Sequence, residues 1–62
     1  MTLTNSERDK FAAYLDEGAT SDEQLAEQIE KLQQPGVAKR YRTEAIAARI
    51  IATKLRATRS DL

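Results

Sequence analysis

Apolar side chains recur at the spacing of an α-helix in three stretches of the chain. Phe11 and Leu15 lie in the first stretch, and Leu25 and Ile29 lie in the second, each pair four residues apart. The third stretch runs from 38 to 58 without a glycine or a proline and consists largely of good helix formers. The pattern therefore predicts helices, and no alternating run that would favour a strand competes with it.

Glycine and proline are few, and they fall between these stretches. Gly18 suits the residue after a helix, because glycine enters the left-handed conformation without a steric cost. Pro35 disfavours helical backbone at the residue before it. We therefore expect helices at about 5–17, 21–34 and 38–58, in an all-α, up-down-up three-helix bundle with a longer C-terminal third helix.

Two sequence signals mark where the first two helices begin. Thr4 and Glu7 have the spacing of a capping box, in which each side chain covers a free backbone N–H. A second capping box of the same spacing is predicted for Thr20 and Glu23 or for Ser21 and Gln24, before the second stretch. These signals agree with a helix that starts near Asn5 and another that starts near Ser21.

The 62 residues are enough for a single helical domain, which we expect to span 1–62. The larger apolar residues and the alanines on the same predicted faces are the candidate core. That core comprises Phe11, Tyr14, Leu15, Leu25, Ile29, Leu32, Tyr41, Ala45, Ala48, Ile51, Ala52 and Leu55.

The predicted third helix is apolar over more than half of its circumference. Ile46 and Ile50 fall in a sector well away from the one that contains Ala45 and Ala52. Either the first two helices cover both sectors, or one sector packs on a second chain. Because small domains often need oligomerisation for stability, we expect a homodimer through Ile46, Ile50 and Leu55.

The formal net charge of zero conceals an uneven distribution. Residues 1–34 carry eight acids and three bases, for a net −5, whereas residues 35–62 carry seven bases and two acids, for a net +5. Arg42, Arg49 and Arg56 are seven residues apart and form one stripe on a helix. Guanidinium groups bind carboxylates and phosphates through two hydrogen bonds, so the stripe is a candidate partner-binding surface.

Three interpretations of the arginine stripe are open. It can face acids of the same chain or of a dimer mate, an acidic partner protein, or the backbone of a nucleic acid. A sequence pI of about 6.2 and the lack of an exposed aromatic platform count against nucleic acid. We expect the surface that meets the stripe to be acidic.

Little in the sequence points to catalysis or to a bound cofactor. The chain has no cysteine and no histidine, the commonest sources of thiolate and imidazole chemistry. Asp16-Glu17 and Asp22-Glu23 are adjacent carboxylates, but neighbours on a helix point in different directions and make poor joint ligands. We expect no catalytic, cofactor or metal site, and no small-molecule substrate.

Nothing in the chain resembles a membrane segment or a secretory signal, so we expect a cytoplasmic protein without a membrane partner. The function that the sequence favours is a non-enzymatic protein–protein interaction module. It would associate with itself through the third helix, with an acidic protein surface, or with both. The alternative is a nucleic-acid-binding regulatory protein that uses the basic face of Arg42, Arg49 and Arg56.

Overall fold

The protein is a hairpin of two long helices. The computed structural model describes residues 2–58, with α1 at Asn5–Lys31 and α2 at Pro35–Ala57. The molecule measures 50 × 17 × 13 Å, and its radius of gyration of 14.4 Å exceeds the ~10.6 Å typical of a compact domain of this length. The prediction of an all-α protein is confirmed. The prediction of a three-helix bundle is wrong, because the first two predicted helices are one.

Gly18 lies inside α1 and does not end a helix. Its φ is not positive, and a Cβ added to it would meet open space. The Thr20 hydroxyl donates to the carbonyl of Asp16 at 3.1 Å, so the second predicted capping box does not form. A glycine costs a helix only about 1 kcal/mol relative to alanine. A break at this point would remove the following turns from their contact with α2.

The ends of α1 have well-defined caps. The Thr4 hydroxyl accepts from the Glu7 N–H at 3.1 Å, and the Thr4 N–H donates to Glu7 Oε1 at 2.8 Å, which confirms the first capping box. At the other end, Gln33 has a φ of 61° and its N–H donates to the Glu30 carbonyl at 2.9 Å. The next N–H, from Gln34, reaches back to the Ile29 carbonyl at 3.2 Å. This is the Schellman arrangement, with glutamine where glycine is usual.

The second helix begins earlier than the sequence suggested. Pro35 is its first residue, a position where proline loses no hydrogen bond and already has a helical φ. The loop is therefore residues 32–34, and Pro35-Gly36 belongs to α2. The C-terminal end at Ala57 lies within one residue of the expected boundary.

The two helices meet along a line of alanines. Within residues 2–58 the buried hydrophobic residues are Ala12, Ala19, Ala26, Ala38, Ala45 and Ala52, which we call the alanine seam. They recur every seven residues in each helix, the period of antiparallel helices that coil around each other. Small side chains let the two backbones approach closely, and they leave no room for a large residue between the helices.

Most of the predicted core lies outside the seam. Only Ala45 and Ala52 from that prediction are buried. The half-buried members are Leu15, Ile29, Tyr41, Ala48 and Leu55, and the exposed ones are Phe11, Tyr14, Leu25, Leu32 and Ile51. The reason is the missing third layer, since a two-helix hairpin has no further element to cover a wide apolar sector.

One five-residue pattern occurs six times and organises both helices. Each seam alanine is followed three residues later by a half-buried side chain and four residues later by a charged one. The six units are residues 12–16, 19–23, 26–30, 38–42, 45–49 and 52–56. Positions three and four residues on lie on opposite sides of the starting residue, so the seam separates a charged side from a less polar side.

Candidate interaction surfaces

The charged side of the seam is a row of ion pairs between the two helices. The final residue of each five-residue unit is acidic in α1 and an arginine in α2. We call the resulting row the ion-pair ladder; its rungs are Arg42–Glu30, Arg49–Glu23 and Arg56–Asp16. The pairing order, from near the loop to far from it, is that of antiparallel helices.

Asp16 links the middle rung of the ladder to the rung farthest from the loop. Arg49 Nη2 lies 2.5 Å from Glu23 Oε1 and donates to the Thr20 hydroxyl at 3.3 Å. Arg49 Nη1 is also 3.9 Å from Asp16 Oδ1, and Arg56 Nη1 is 2.8 Å from Asp16 Oδ2. One carboxylate thus joins two arginines into a network, which holds geometry better than isolated pairs do.

The ladder lies at the surface. The side chains of the ladder are between 34% and 53% exposed to solvent. The hydrogen bond to Glu23 raises the pKa of Arg49, so this guanidinium stays charged at all ordinary pH values. Because water screens exposed pairs, each rung contributes little to stability and more to the alignment of the helices.

The arginine stripe thus faces acids of its own chain, which is one of the three interpretations that the sequence left open. Asp16, Glu23 and Glu30 are seven residues apart, as Arg42, Arg49 and Arg56 are. This matched spacing was the signal that could have identified the ladder from sequence alone. Partner binding by the stripe stays a prediction, and it would require an acid to compete with carboxylates already in place.

The other side of the seam is largely apolar on both helices, and Asp22 is the one charged residue among the side chains three positions after a seam alanine. Heptad geometry puts Leu15 and Ile29 of α1, and Tyr41 and Leu55 of α2, directly beside the alanines on that side. Larger exposed side chains extend it outward. The apolar face, as we name it, comprises Phe11, Tyr14, Leu15, Leu25, Ile29, Leu32, Val37, Tyr41, Ala48, Ile51 and Leu55.

A shallow groove crosses the middle of the apolar face. Tyr14, Leu15, Gly18 and Ser21 of α1 and Ala48 of α2 line it. Two carboxylates, Glu17 and Asp22, also line it. The groove therefore combines small residues, which allow close approach, with negative charge near the centre of α1.

The three residues predicted to mediate self-association lie on two different surfaces. Ile46 and Ile50, at 61% and 50% exposure, line a second groove with Arg49, Thr53 and Lys54 on the outward side of α2. Leu55 is half-buried, and helical geometry places it on the apolar face. We name the Ile46–Lys54 surface the outer α2 patch. The structure separates it from Leu55 by the alanine seam.

Residues 2–58 contain no group of three or more metal-ligating side chains close enough to hold an ion. Over the same residues, neither helix has the length of apolar sequence that crossing a membrane requires. Of the adjacent carboxylates noted in the sequence, Asp16 and Glu23 belong to the ladder.

Comparison with known proteins found no matching family model, no similar curated protein and no similar solved structure.

Proposed function

We propose that the chain is a non-enzymatic protein–protein interaction module that associates with itself through the apolar face. A single observation carries the proposal. The large apolar side chains of the described chain are half-buried or exposed, and its buried core consists of alanines. Leu55, which the sequence already assigned to self-association, lies within this face.

The energetics of burial favour a second copy. An alanine methyl supplies roughly 0.8 kcal/mol when buried, whereas a leucine, isoleucine or phenylalanine supplies about 1.5–3 kcal/mol. The seam alone therefore contributes a modest stabilisation for a chain of two long helices, and small scaffolds commonly gain the remainder by association. Covering the apolar face would bury the side chains that the hairpin leaves in water.

The available area matches what an interface needs. The chain exposes 4991 Å², roughly a quarter more than the ~4,000 Å² expected of a compact monomer of this mass. A face along a molecule of 50 by 17 Å has an area on the order of the 800 Å² that each partner buries in a stable complex. One face of the hairpin is thus sufficient for a specific dimer.

The other functions considered from the sequence have less support. Nucleic-acid binding through Arg42, Arg49 and Arg56 would have to break the ladder, and the acids of α1 lie beside the arginines. An acidic protein partner would meet the same competition. The cytoplasmic location stays a prediction.

A matched pair of isoleucines tests the proposal. Ile51 on the apolar face and Ile46 on the outer α2 patch are the same residue type, in the same helix, at 48% and 61% exposure. We expect the wild-type chain to sediment at twice its 7.0 kDa mass at micromolar concentrations. Ile51→Glu should abolish the dimer because it puts a charge in the interface, while Ile46→Glu should retain it.

Circular dichroism on the same samples separates loss of assembly from loss of folding. Should Ile51→Glu unfold, the milder Ile51→Ala is expected to weaken the dimer and keep the helices. A wild-type chain that stays a folded monomer at hundreds of micromolar would overturn the proposal. Dissociation by Ile46→Glu and not by Ile51→Glu would transfer the interface to the outer α2 patch.

A further inference from the structure

We propose that the two copies pack apolar face to apolar face with both loops at the same end, so that α1 of each copy lies against α2 of its partner. The inference rests on the proposed self-association and adds the orientation of the partner. It makes the assembly a four-helix bundle in which every neighbouring pair of helices is antiparallel.

Two symmetric arrangements bury the same apolar face. A two-fold axis along the helices puts both loops at one end and α1 on the partner's α2. A two-fold axis across the helices puts the loops at opposite ends, with α1 on the partner's α1 and α2 on the partner's α2. Because the hydrophobic effect is not directional, burial alone does not choose between them.

The charges of the two helices favour the arrangement with adjacent loops. Residues 1–34, which contain α1, carry a net −5, and residues 35–62, which contain α2, carry a net +5. The three ladder pairs cancel three charges of each helix on the other side of the seam, which leaves a net −2 and a net +2. Contact of α1 with α1 would put two acidic helices together, and contact of α2 with α2 would put two basic helices together. Contact between unlike helices is the complementary arrangement, and it suppresses the wrong one.

Acidic residues in the groove on the apolar face disfavour the arrangement with opposed loops. Glu17 and Asp22 line it and lie within about one helical turn of Gly18, the middle residue of α1. In the arrangement with opposed loops, the two-fold axis passes near the middle of α1. It would then gather the Glu17 and Asp22 carboxylates of both copies at a single crossing, in a partly dehydrated site.

The arrangement with adjacent loops puts a cation at that level instead. Arg56 pairs with Asp16 across the hairpin, so Lys54, half a turn nearer the loop, lies at the height of Glu17 and Gly18. Lys54 lies at the outer edge of α2, beside Ile50. With copies aligned at the same height, Lys54 of one copy comes beside the α1 edge that carries the other copy's Glu17. This proposed contact occurs twice in the dimer.

Distance measurements between spin labels test the orientation directly. The chain has no cysteine, so a single substitution gives a single label. Gln34→Cys labels the loop at an exposed residue whose side chain makes no capping hydrogen bond, and Ser6→Cys labels the opposite end. With adjacent loops, the two Gln34 labels should lie within about 20 Å, roughly two interhelical spacings. The same short distance is expected between the two Ser6 labels.

A mixture of the two labelled chains reverses the expectation. Gln34 on one copy and Ser6 on the other should be separated by a distance approaching the 50 Å length of the molecule. Short mixed distances, together with long distances between like labels, would overturn the orientation and leave self-association intact. A monomer in sedimentation would instead overturn the proposed function, so the two failures are distinguishable.

Charge reversal gives an independent test. Lys54→Glu should weaken the dimer by about fivefold at low salt, since a rim charge contributes a modest amount. Adding Glu17→Lys should restore the affinity, whereas adding Glu27→Lys, a charge reversal elsewhere on α1, should not. A double variant with Glu17→Lys that dimerises no better than Lys54→Glu alone would contradict the contact.

Discussion

The ion-pair ladder and the apolar face flank the same alanine seam, yet they differ in whether the hairpin alone supplies their contacts. On the ladder side, each arginine of α2 meets a carboxylate of α1, so the hairpin satisfies this side by itself. On the apolar side, residues such as Phe11 and Ile51 are about half exposed. One side therefore aligns the two helices within a chain, and the other is available to a second chain.

This difference shows how a short chain can separate folding from assembly. Ion pairs at the surface are worth little energetically, but they are specific in direction and restrict the alignment of the two helices to steps of seven residues. Apolar contact is worth more per side chain and is less specific. Ion pairs thus form where one chain supplies both the acid and the base. Apolar area is left exposed where the surface that would cover it belongs to a second chain.

The largest effect is expected from the seam, because both sides depend on it. Ala19→Leu should lower the free energy of unfolding by about 1–3 kcal/mol, since a larger side chain cannot fit between closely packed helices. Ala13→Leu, at an exposed position of the same helix, should change it by less than about 0.5 kcal/mol. Urea denaturation of both variants at one protein concentration makes the comparison. Equal effects would contradict the seam.

A smaller effect is expected at the start of α1, where an acid is held by its own helix instead of by an arginine. The hydrogen bond from the Thr4 backbone N–H, and then that with its hydroxyl, lowers the pKa of Glu7. Because the folded-state pKa is the lower one, this stabilisation is present above the ordinary pKa of glutamate and is lost as the pH falls through the lowered value.

Thr4→Ala removes the capping hydroxyl and should cost about 1 kcal/mol at neutral pH. It keeps the backbone N–H that is the larger cause of the lowered Glu7 pKa, so the cost should be only slightly smaller in acid. Thermal melts at neutral and acidic pH measure the difference, and Thr4→Ser, which keeps the hydroxyl, serves as the control. A loss of the same size at both pH values would show that the Thr4 hydroxyl does not contribute to lowering the pKa of Glu7.

The smallest effect is expected from the ladder itself. Replacing Arg42, Arg49 and Arg56 together by glutamine should lower the melting temperature slightly at low salt and not measurably at 1 M salt, where screening extends to about 3 Å. The matched control replaces Lys10, Lys39 and Arg40, exposed cations outside the ladder. A loss of stability that persists at high salt would contradict the description of the ladder as an exposed network.

The same triple variant decides the nucleic-acid alternative. We expect the wild-type chain not to bind a labelled DNA duplex through the stripe, because its arginines are engaged. Binding that the triple variant abolishes, and that falls with salt at a logarithmic slope of about −2.7 for three phosphate contacts, would favour that alternative.

The helical character of the chain could be predicted from the sequence, but the number of helices could not. Thr4 and Glu7 marked the start of α1, and an uninterrupted run of helix formers marked α2. The prediction that Gly18 ends a helix was wrong because it rested on the conformational preference of glycine alone. Its modest local cost is outweighed by contacts that α1 makes with α2 on both sides of it, and such contacts become visible only when the two helices are placed together.

The candidate surfaces could be predicted only in part, for a similar reason. The spacing of the arginines predicts a stripe, and the equal spacing of Asp16, Glu23 and Glu30 supplies the carboxylates that pair with it. The large apolar residues were assigned to a core because cores usually contain them. Here alanines take the interior, and their seven-residue recurrence was the overlooked signal.

The six repeated units also leave the pairing of the helices open to a shift. If α2 slid along α1 by seven residues, alanines would again meet alanines and arginines would again meet carboxylates, as when Arg49 faces Glu30. Such a shift keeps two of the three rungs, so side-chain matching favours a set of registers at steps of seven residues and only weakly prefers one of them. What selects one member of the set is the loop of residues 32–34, closed by the left-handed Gln33 and by Pro35. Three residues of backbone thus determine the alignment of the fifty that follow and precede them.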